Sequence, residues 1–351
     1  MVDRQKEFSG AGPVRKGFEL DKKALQTYME ENVEGFSGSL AIQQFKGGQS
    51  NPTYKIISGG KKYVLRRKPS GKLLKSAHAV DREYKVISAL NKTDVPVANT
   101  YALCTDESIL GSWFYIMDCV EGRIFWTIKN TLEAQRPEIF DAMNDVIAKL
   151  HRVDYEAVGL ADYGKKGSYF SRQISRWSKQ YQASVEEPCA VMDELIKWLT
   201  DHIPENDETA IVHGDYRIDN MIFHPTEPKI LALLDWELST LGHPLSDFSY
   251  SCMLYHMPAG FGVGGLAGMD LKAIRVPTEE TYIQAYCKRM GLSGIDNWHY
   301  YMAFNFFRLS GICFGIKGRL RDGTAASPQA IATAGAAEPL AEIGMEQARK
   351  A

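Results

Sequence analysis

The sequence predicts a bilobal α+β protein: a small antiparallel-sheet N-terminal lobe with one helix, followed by a mainly helical C-terminal lobe. Three observations support this. The chain has 351 residues, more than one usual domain and enough to bury a substantial core. Short β-type runs crowd the stretch before Val120, two of them separated by a Gly-Gly turn signal. From Glu121 onward, apolar residues recur mostly at helical spacing. The boundary is placed at that shift, giving lobes of residues 1–118 and 119–351.

The elements follow in order. After a polar, glycine-containing start, "ELDKKALQTYMEENV" carries Leu20, Ala24, Leu25, Tyr28 and Met29 at helical spacing, with Asp21 as a cap. The runs "LAIQQF", "TYKIIS" and "KKYVLRR" read as strands, and Gly59-Gly60 joins the last two in a two-residue hairpin. A helix is predicted from about Ala77 to Leu90, then strands around "TYALCT" and "WFYIMDCV". In the helical remainder, β-type pairs interrupt at 210–223 and 229–236. The alanine-rich tail from Gly323 is predicted to form one surface helix after a flexible stretch.

Composition narrows the partners. Lysine plus arginine number 41 against 43 acidic residues, with no basic run, so no nucleic acid or anionic membrane is expected. Cys104, Cys119, Cys189, Cys252, Cys287 and Cys313 form no CxxC pair and have no histidine at zinc-like spacing. They read as reduced, mostly buried thiols. No apolar leader opens the chain, and no stretch approaches the roughly 20 apolar residues of a membrane span. A cytoplasmic location is the expectation.

Within "AHAVDREYKVISAL", Ala79, Val80, Val86, Ile87 and Leu90 fall within about 60° of Glu83 at a turn of about 100° per residue. Glu83 therefore sits in the buried stripe, where an unpaired carboxylate costs on the order of several kcal/mol. A cation must meet it. Strand alternation puts Val64 and Arg66 on one face of "YVLRRKP" and Leu65 and Arg67 on the other. Alternation does not say which arginine faces the helix, and Lys62 shares the Arg66 side. The turn "FKGGQSNPTYKI" precedes that strand. Alone, Gly47 and Gly48 signal only a hairpin; followed by a cation and a buried glutamate, the turn becomes a candidate cover for phosphates, whose oxygens its backbone N–H groups could approach.

"VHGDYRIDNMIF" places several polar groups among apolar pairs. Asp215 and Asn220 stand five residues apart, the spacing at which a kinase catalytic loop holds a base and a magnesium ligand. The segment "NMIFHPTEPKILALLDWE" reads as strand, proline-punctuated turn and strand, so Asn220 and Asp235 meet at one mouth of a hairpin. An amide oxygen and a carboxylate suit a hard cation such as Mg²⁺.

"HGDYRIDN" followed by "LLDWE" resembles the motifs of the aminoglycoside phosphotransferase and choline kinase family, which has a protein-kinase-like fold. With "GGQSNPTY", "YVLRRKP", "HAVDREY" and "FYIMDCVEGR", the likeness spans about residues 40 to 250. Within the family the chain looks most like the kinase-like domain fused to acyl-CoA dehydrogenase family members 10 and 11, and its free-standing bacterial relatives. The resemblance implies an ATP-dependent phosphotransferase, with GTP as the alternative donor, acting on a hydroxyl of a small metabolite. It implies Asp215 as base, Arg217 near the transferring phosphoryl group, Mg²⁺ on Asn220 and Asp235, and Glu83 paired with a phosphate-gripping cation. That cation would be Arg66, at a position usually held by lysine. Gly47, Gly48, Gln49 and Ser50 would cover the phosphates. The backbone around Met117 and Cys119 would hold the base. Residues 1–118 would then be the nucleotide-binding lobe and 119–351 the catalytic and substrate lobe.

The fused dehydrogenases make a hydroxyacyl-CoA one candidate acceptor. An aminoglycoside is less favoured, because no dense acidic patch awaits a polycation. A nucleotide-binding module with little catalysis is the reading from another class, motivated by arginine at position 66. A protein kinase is disfavoured because no activation segment follows "LLDWE". Among the remaining residues, His213 reads as structural, Asp219 as a turn cap and Asp247 as an anchor of the catalytic loop. The clusters around Arg172, Arg176, Trp177 and Lys179, and around Phe304, Phe307 and Arg308, read first as helix packing. "GFGVGG" at 260–265 lacks the strand and acidic residue of a dinucleotide site.

Overall fold

A computed structural model describes residues 5, 9–47, 51–69, 79–259, 264–325 and 328–351. The chain folds into two compact units. The first comprises Met1–Lys149, Val153–Tyr163 and Arg217–Ser239; the second comprises Leu150–Arg152, Gly164–Tyr216 and Thr240–Ala351.

The first unit is built on a six-stranded sheet of β1 (Ala11–Gly12), β2 (Ala41–Phe45), β3 (Thr53–Ser58), β4 (Lys61–Arg67), β5 (Thr100–Cys104) and β6 (Phe114–Asp118), in the order β1-β2-β3-β4-β6-β5. The β3–β4 hairpin closes through Gly59 and Gly60 at φ 56° and 78°, the left-handed geometry that a two-residue turn demands. Helix α1 (Lys22–Asn32) is capped by Asp21, whose carboxylate accepts from the N–H groups of Lys23 and Ala24. Its buried Leu25 and Met29 join Tyr54, Ile56, Tyr63, Leu65, Phe114 and Ile116 in one core on one sheet face. Side chains alternate across a strand, so Val64, Arg66, Tyr115 and Met117 line the opposite face. Helix α2 (Val80–Leu90) buries Val80, Glu83, Val86, Ile87 and Leu90. A short α3 (Glu107–Leu110) precedes β6, and α4 (Arg136–His151) follows it.

A second hairpin completes this unit: β8 (Met221–Phe223) pairs with β9 (Ile230–Leu233). The segment after β6 is pinned to it. Arg123 and Phe223 exchange backbone hydrogen bonds of 2.7 and 2.8 Å, and the Arg123 guanidinium donates to the carbonyls of His224 and Glu227. A Cβ on Gly122 would lie 2.2 Å from the Phe223 carbonyl oxygen, so glycine is required at this crossing.

The second unit holds a two-stranded ribbon of β7 (Ala210–Val212) and β10 (Thr240–Gly242). Around it lie α5 (Tyr169–Ser184), α6 (Ala190–Asp201), α7 (Pro244–Cys252), α8 (Glu279–Met290) and α9 (Trp298–Arg321). Phe170 packs edge-on against Tyr300 and Phe304 at the centre. The tail departs from expectation. It forms two helices, α10 (Pro328–Ala334) and α11 (Ala337–Ala348), and α11 is a core element. Its buried Ala337, Leu340, Ala341, Gly344, Met345 and Ala348 recur at helical spacing and pack against α9 and α6. A Cβ on Gly344 would lie 2.7 Å from a Leu195 methyl, so small residues allow the close approach.

All six cysteines are free, and Cys104, Cys252, Cys287 and Cys313 are buried. Among the described residues, no helix is long and apolar enough to cross a membrane.

Candidate active site

In the first unit Arg66 is the partner of Glu83, which settles the question alternation left open. Arg66 Nε lies 2.8 Å from Glu83 Oε2, and Nη2 lies 2.7 Å from Asp235 Oδ1. Arg67, on the other face, donates from Nε to Ser112 Oγ. Glu83 also accepts from Asn51 Nδ2 at 2.8 Å and from the Tyr115 hydroxyl at 3.1 Å. Its side chain is only 2% exposed. Burial pushes the Glu83 carboxyl above the ordinary carboxylate range, against the pull of Arg66 and of its two hydrogen-bond donors. Burial acts to lower the Arg66 value, but Glu83, Tyr115 and Asp235 outweigh it and raise the guanidinium above its ordinary value. Arg66 is therefore a fixed cation.

Asp235 lies two residues past β9, at the start of the 3₁₀ turn Trp236–Leu238, at φ 63°, ψ 63°, a left-handed backbone that costs a non-glycine residue about 1 kcal/mol. Asn220 closes a 3₁₀ turn over Ile218–Asn220, and its carbonyl accepts from Leu234 N–H at 2.8 Å. The hairpin thus brings Asn220 alongside Asp235, as its sequence predicts. Arg217 Nη2 lies 3.3 Å from Asp219 Oδ2, so Asp219, 5% exposed, is tied to Arg217.

These groups border a cavity of about 740 Å³ whose lining residues all belong to the first unit. Gly47, Arg66, Met117, Cys119, Asn220 and Asp235 line it, with Val64, Ile222 and Leu233 as apolar wall. Gly48, Gln49 and Ser50 lie outside the described residues, as do residues 77–78 of the predicted helix start and 260–263 of "GFGVGG". Cys119 N–H donates to the Lys62 carbonyl, so it is committed to the sheet. The neighbouring Val120, within the same hinge segment, also lines the wall.

Among the described residues no group of three or more His, Cys, Asp or Glu side chains is placed to hold a metal. Asn220 and Asp235 fit Mg²⁺ nonetheless. Mg²⁺ usually takes one or two carboxylates, with waters and substrate phosphates completing its shell.

A second constellation lies in the second unit. Asp215 follows β7 through His213 and Gly214, the latter at φ 82°. The fully buried Asp247 on α7 accepts from His213 N–H at 2.7 Å, Gly214 N–H at 2.8 Å and His151 Nε2 at 3.3 Å. Burial works to raise its carboxyl, but the His151 contact and the His213 backbone bond prevail and hold it below the ordinary carboxylate value. Asp247 is thereby the anchor its motif implies. One turn along α7, the Tyr250 hydroxyl donates to Asp215 Oδ1 at 2.6 Å. His213 is fully buried, and its Nδ1 accepts from Asp215 N–H. Arg308 is also buried, donating to the Gly214 carbonyl at 2.5 Å and stacking on Tyr250. It thereby props the loop that carries Asp215. Sequence reasoning missed Asn51, Tyr115, His151 and Tyr250. The two constellations are joined by the chain from Tyr216 to Arg217.

A model of the phosphotransferase enzyme family matches residues 41–298. The chain belongs to this family. It is 42% identical over 342 residues to mouse acyl-CoA dehydrogenase family member 10, covering 96% of this chain but 32% of that protein's length. A Ralstonia eutropha crystal structure, assigned as an aminoglycoside phosphotransferase, shares 50% identity at a TM-score of 0.88, covering 95% of this chain and 99% of that one. A thermostable aminoglycoside phosphotransferase mutant, solved with ADP and hygromycin B, shares the fold at a TM-score of 0.61 and 14% identity, over 93% of this chain and 98% of that one. The architecture is the α+β protein-kinase-like fold, and the phosphotransferase family framework is that of a small-molecule kinase.

Proposed function

We propose that this phosphotransferase moves the γ-phosphate of ATP to a hydroxyl of a small molecule and requires Mg²⁺. The observation that carries the reading is Arg66, fixed between Glu83 and Asp235 on the wall of the cavity. A cation held by two carboxylates suits a polyphosphate, which can take over the charge that Asp235 balances. In this reading residues 1–118 are the nucleotide-binding lobe and 119–351 the catalytic and substrate lobe. The hinge at Met117 to Val120 takes the base, with GTP as the alternative donor. Gly47, Gly48, Gln49 and Ser50 cover the phosphates. Asn220 and Asp235 would hold Mg²⁺, which would supply neutralisation of phosphate charge.

Asp215 accepts the proton of the acceptor hydroxyl as that oxygen bonds to the γ-phosphorus. The bond to the β–γ bridging oxygen breaks, and ADP leaves with its electron pair. Tyr250 orients Asp215, and Arg217 stabilises charge on the phosphoryl oxygens. Positioning and charge neutralisation do most of this work.

Similarity to acyl-CoA dehydrogenase family member 10 favours a hydroxylated acyl compound, hydroxyacyl-CoA included, as acceptor. The Ralstonia likeness keeps an aminoglycoside in the screen. Arginine at position 66, where the family usually has lysine, favours one other reading, a nucleotide-binding module with little turnover. The test is ATP consumption across a panel of hydroxyacyl-CoAs, hydroxylated metabolites and aminoglycosides, with Asp215→Asn as control. Acceptor-dependent ADP formation abolished in the variant supports the kinase. ATP binding with no turnover on any acceptor supports the module.

A further inference from the structure

Glu83 reaches Arg66 only while α2 keeps its pose on the sheet. Buried Val80, Val86, Ile87 and Leu90 hold one face of the helix, and among the described residues its N-terminus has no side-chain cap. Arg82 and Lys85 project from α2 toward the segment ending at Tyr163. Arg82 Nη2 donates to the Tyr163 carbonyl at 2.8 Å and reaches the Ser239 carbonyl at 3.4 Å. Its guanidinium carbon lies 4.3 Å over the Tyr163 ring, and that ring is 1% exposed. Lys85 Nζ pairs with Asp162 Oδ1 at 2.6 Å, but both side chains are exposed and such a pair contributes little.

Ser239 is 3% exposed, and its N–H closes the turn onto Trp236 immediately after Asp235. One guanidinium therefore joins three things: the helix carrying Glu83, the turn that begins at Asp235, and a buried aromatic wall. All of them belong to the first unit.

We propose that Arg82 is a positioning residue that braces both carboxylates flanking Arg66, so that the phosphate and cation end of the nucleotide site is set before any ligand binds. The proposal rests on the nucleotide reading above. Buried carbonyls need donors, and a planar guanidinium can donate to carbonyls while laying a flat face on a ring, where an ammonium is a compact, strongly hydrated point charge. Without it, α2 and the turn after Asp235 lose their shared support. Both Arg66 contacts loosen, while the base end of the cavity, formed by the hinge and by apolar residues, is untouched.

The test is calorimetric titration of wild type, Arg82→Ala and Arg82→Lys with a non-hydrolysable ATP analogue plus Mg²⁺ and with adenosine, plus amide exchange of the unliganded proteins. In Arg82→Ala, affinity for the ATP analogue should fall about tenfold while affinity for adenosine stays within about twofold. Arg82→Lys should recover part of the loss. Amides of α2 and of residues 236–239 should exchange faster together. Equal losses for both ligands, or none, overturn the positioning role. If wild type does not bind the analogue, the nucleotide reading fails by itself and exchange decides the brace. Joint acceleration of the two segments upholds it, and independent or unchanged exchange refutes it.

Discussion

Arg66 gathers the first constellation because four groups converge on it or on its partner: Glu83, Asp235 and, through Glu83, Asn51 and Tyr115. Removing the Asn51 amide leaves a buried carboxylate oxygen short of a donor, so Asn51→Ala should destabilise the protein by about 1–3 kcal/mol. Urea unfolding checks this, and no loss would show that water or another group replaces the amide. Asp215→Asn should leave nucleotide binding nearly intact and lower turnover by roughly 10²-fold or more, as expected for loss of a general base. Unchanged turnover with an identified acceptor would remove Asp215 from that role. At this scale the sequence was legible where local geometry speaks. Glu83 stood on the apolar stripe of its helix, and its need for a cation followed. Whether Arg66 or Arg67 answered depended on which sheet face α2 covers, which no local pattern encodes. Asn51, Tyr115 and Tyr250 were illegible for a similar reason, because their contacts join residues 32 to 35 positions apart.

The hairpins and the first helix were readable as elements. Gly59-Gly60 fixed the β3–β4 register, and Asp21 marked the start of α1. The anchor on α7 yields a pH-dependent prediction. Because the folded-state Asp247 carboxyl titrates below its ordinary value of 3.8, its anion favours the folded chain. That stability is complete above the unfolded-state value and is lost as pH falls through the lower folded-state value. Asp247→Asn cannot accept both backbone N–H groups with two oxygens, and should cost about 2–3 kcal/mol near neutral pH. The gap from wild type should narrow below about pH 4. A gap independent of pH would show that packing, not charge, carries the anchor. The tail was misread because alanine and glycine suggested a weakly apolar surface. In α11 those small residues instead let the helix approach α9 and α6 closely enough to bury Leu340 and Met345. Leu340→Ala should therefore cost about 2–5 kcal/mol, and a loss below about 0.5 kcal/mol would place α11 outside the core.

The whole molecule joins two units whose chain segments interleave, each with its own core and its own polar constellation. Its span of 32% of the mouse relative corresponds to a phosphotransferase framework, and the account assigns it a nucleotide site whose cation and metal ligands are set by Arg66, Asn220 and Asp235. Ligand that binds only the folded state stabilises it by mass action. The most direct test of that assignment is calorimetric titration of wild type and Asp235→Ala with a non-hydrolysable ATP analogue, with and without Mg²⁺. The account predicts Mg²⁺-dependent binding to wild type that Asp235→Ala abolishes. No binding of the ATP analogue, or of its GTP counterpart, to folded wild type would contradict it.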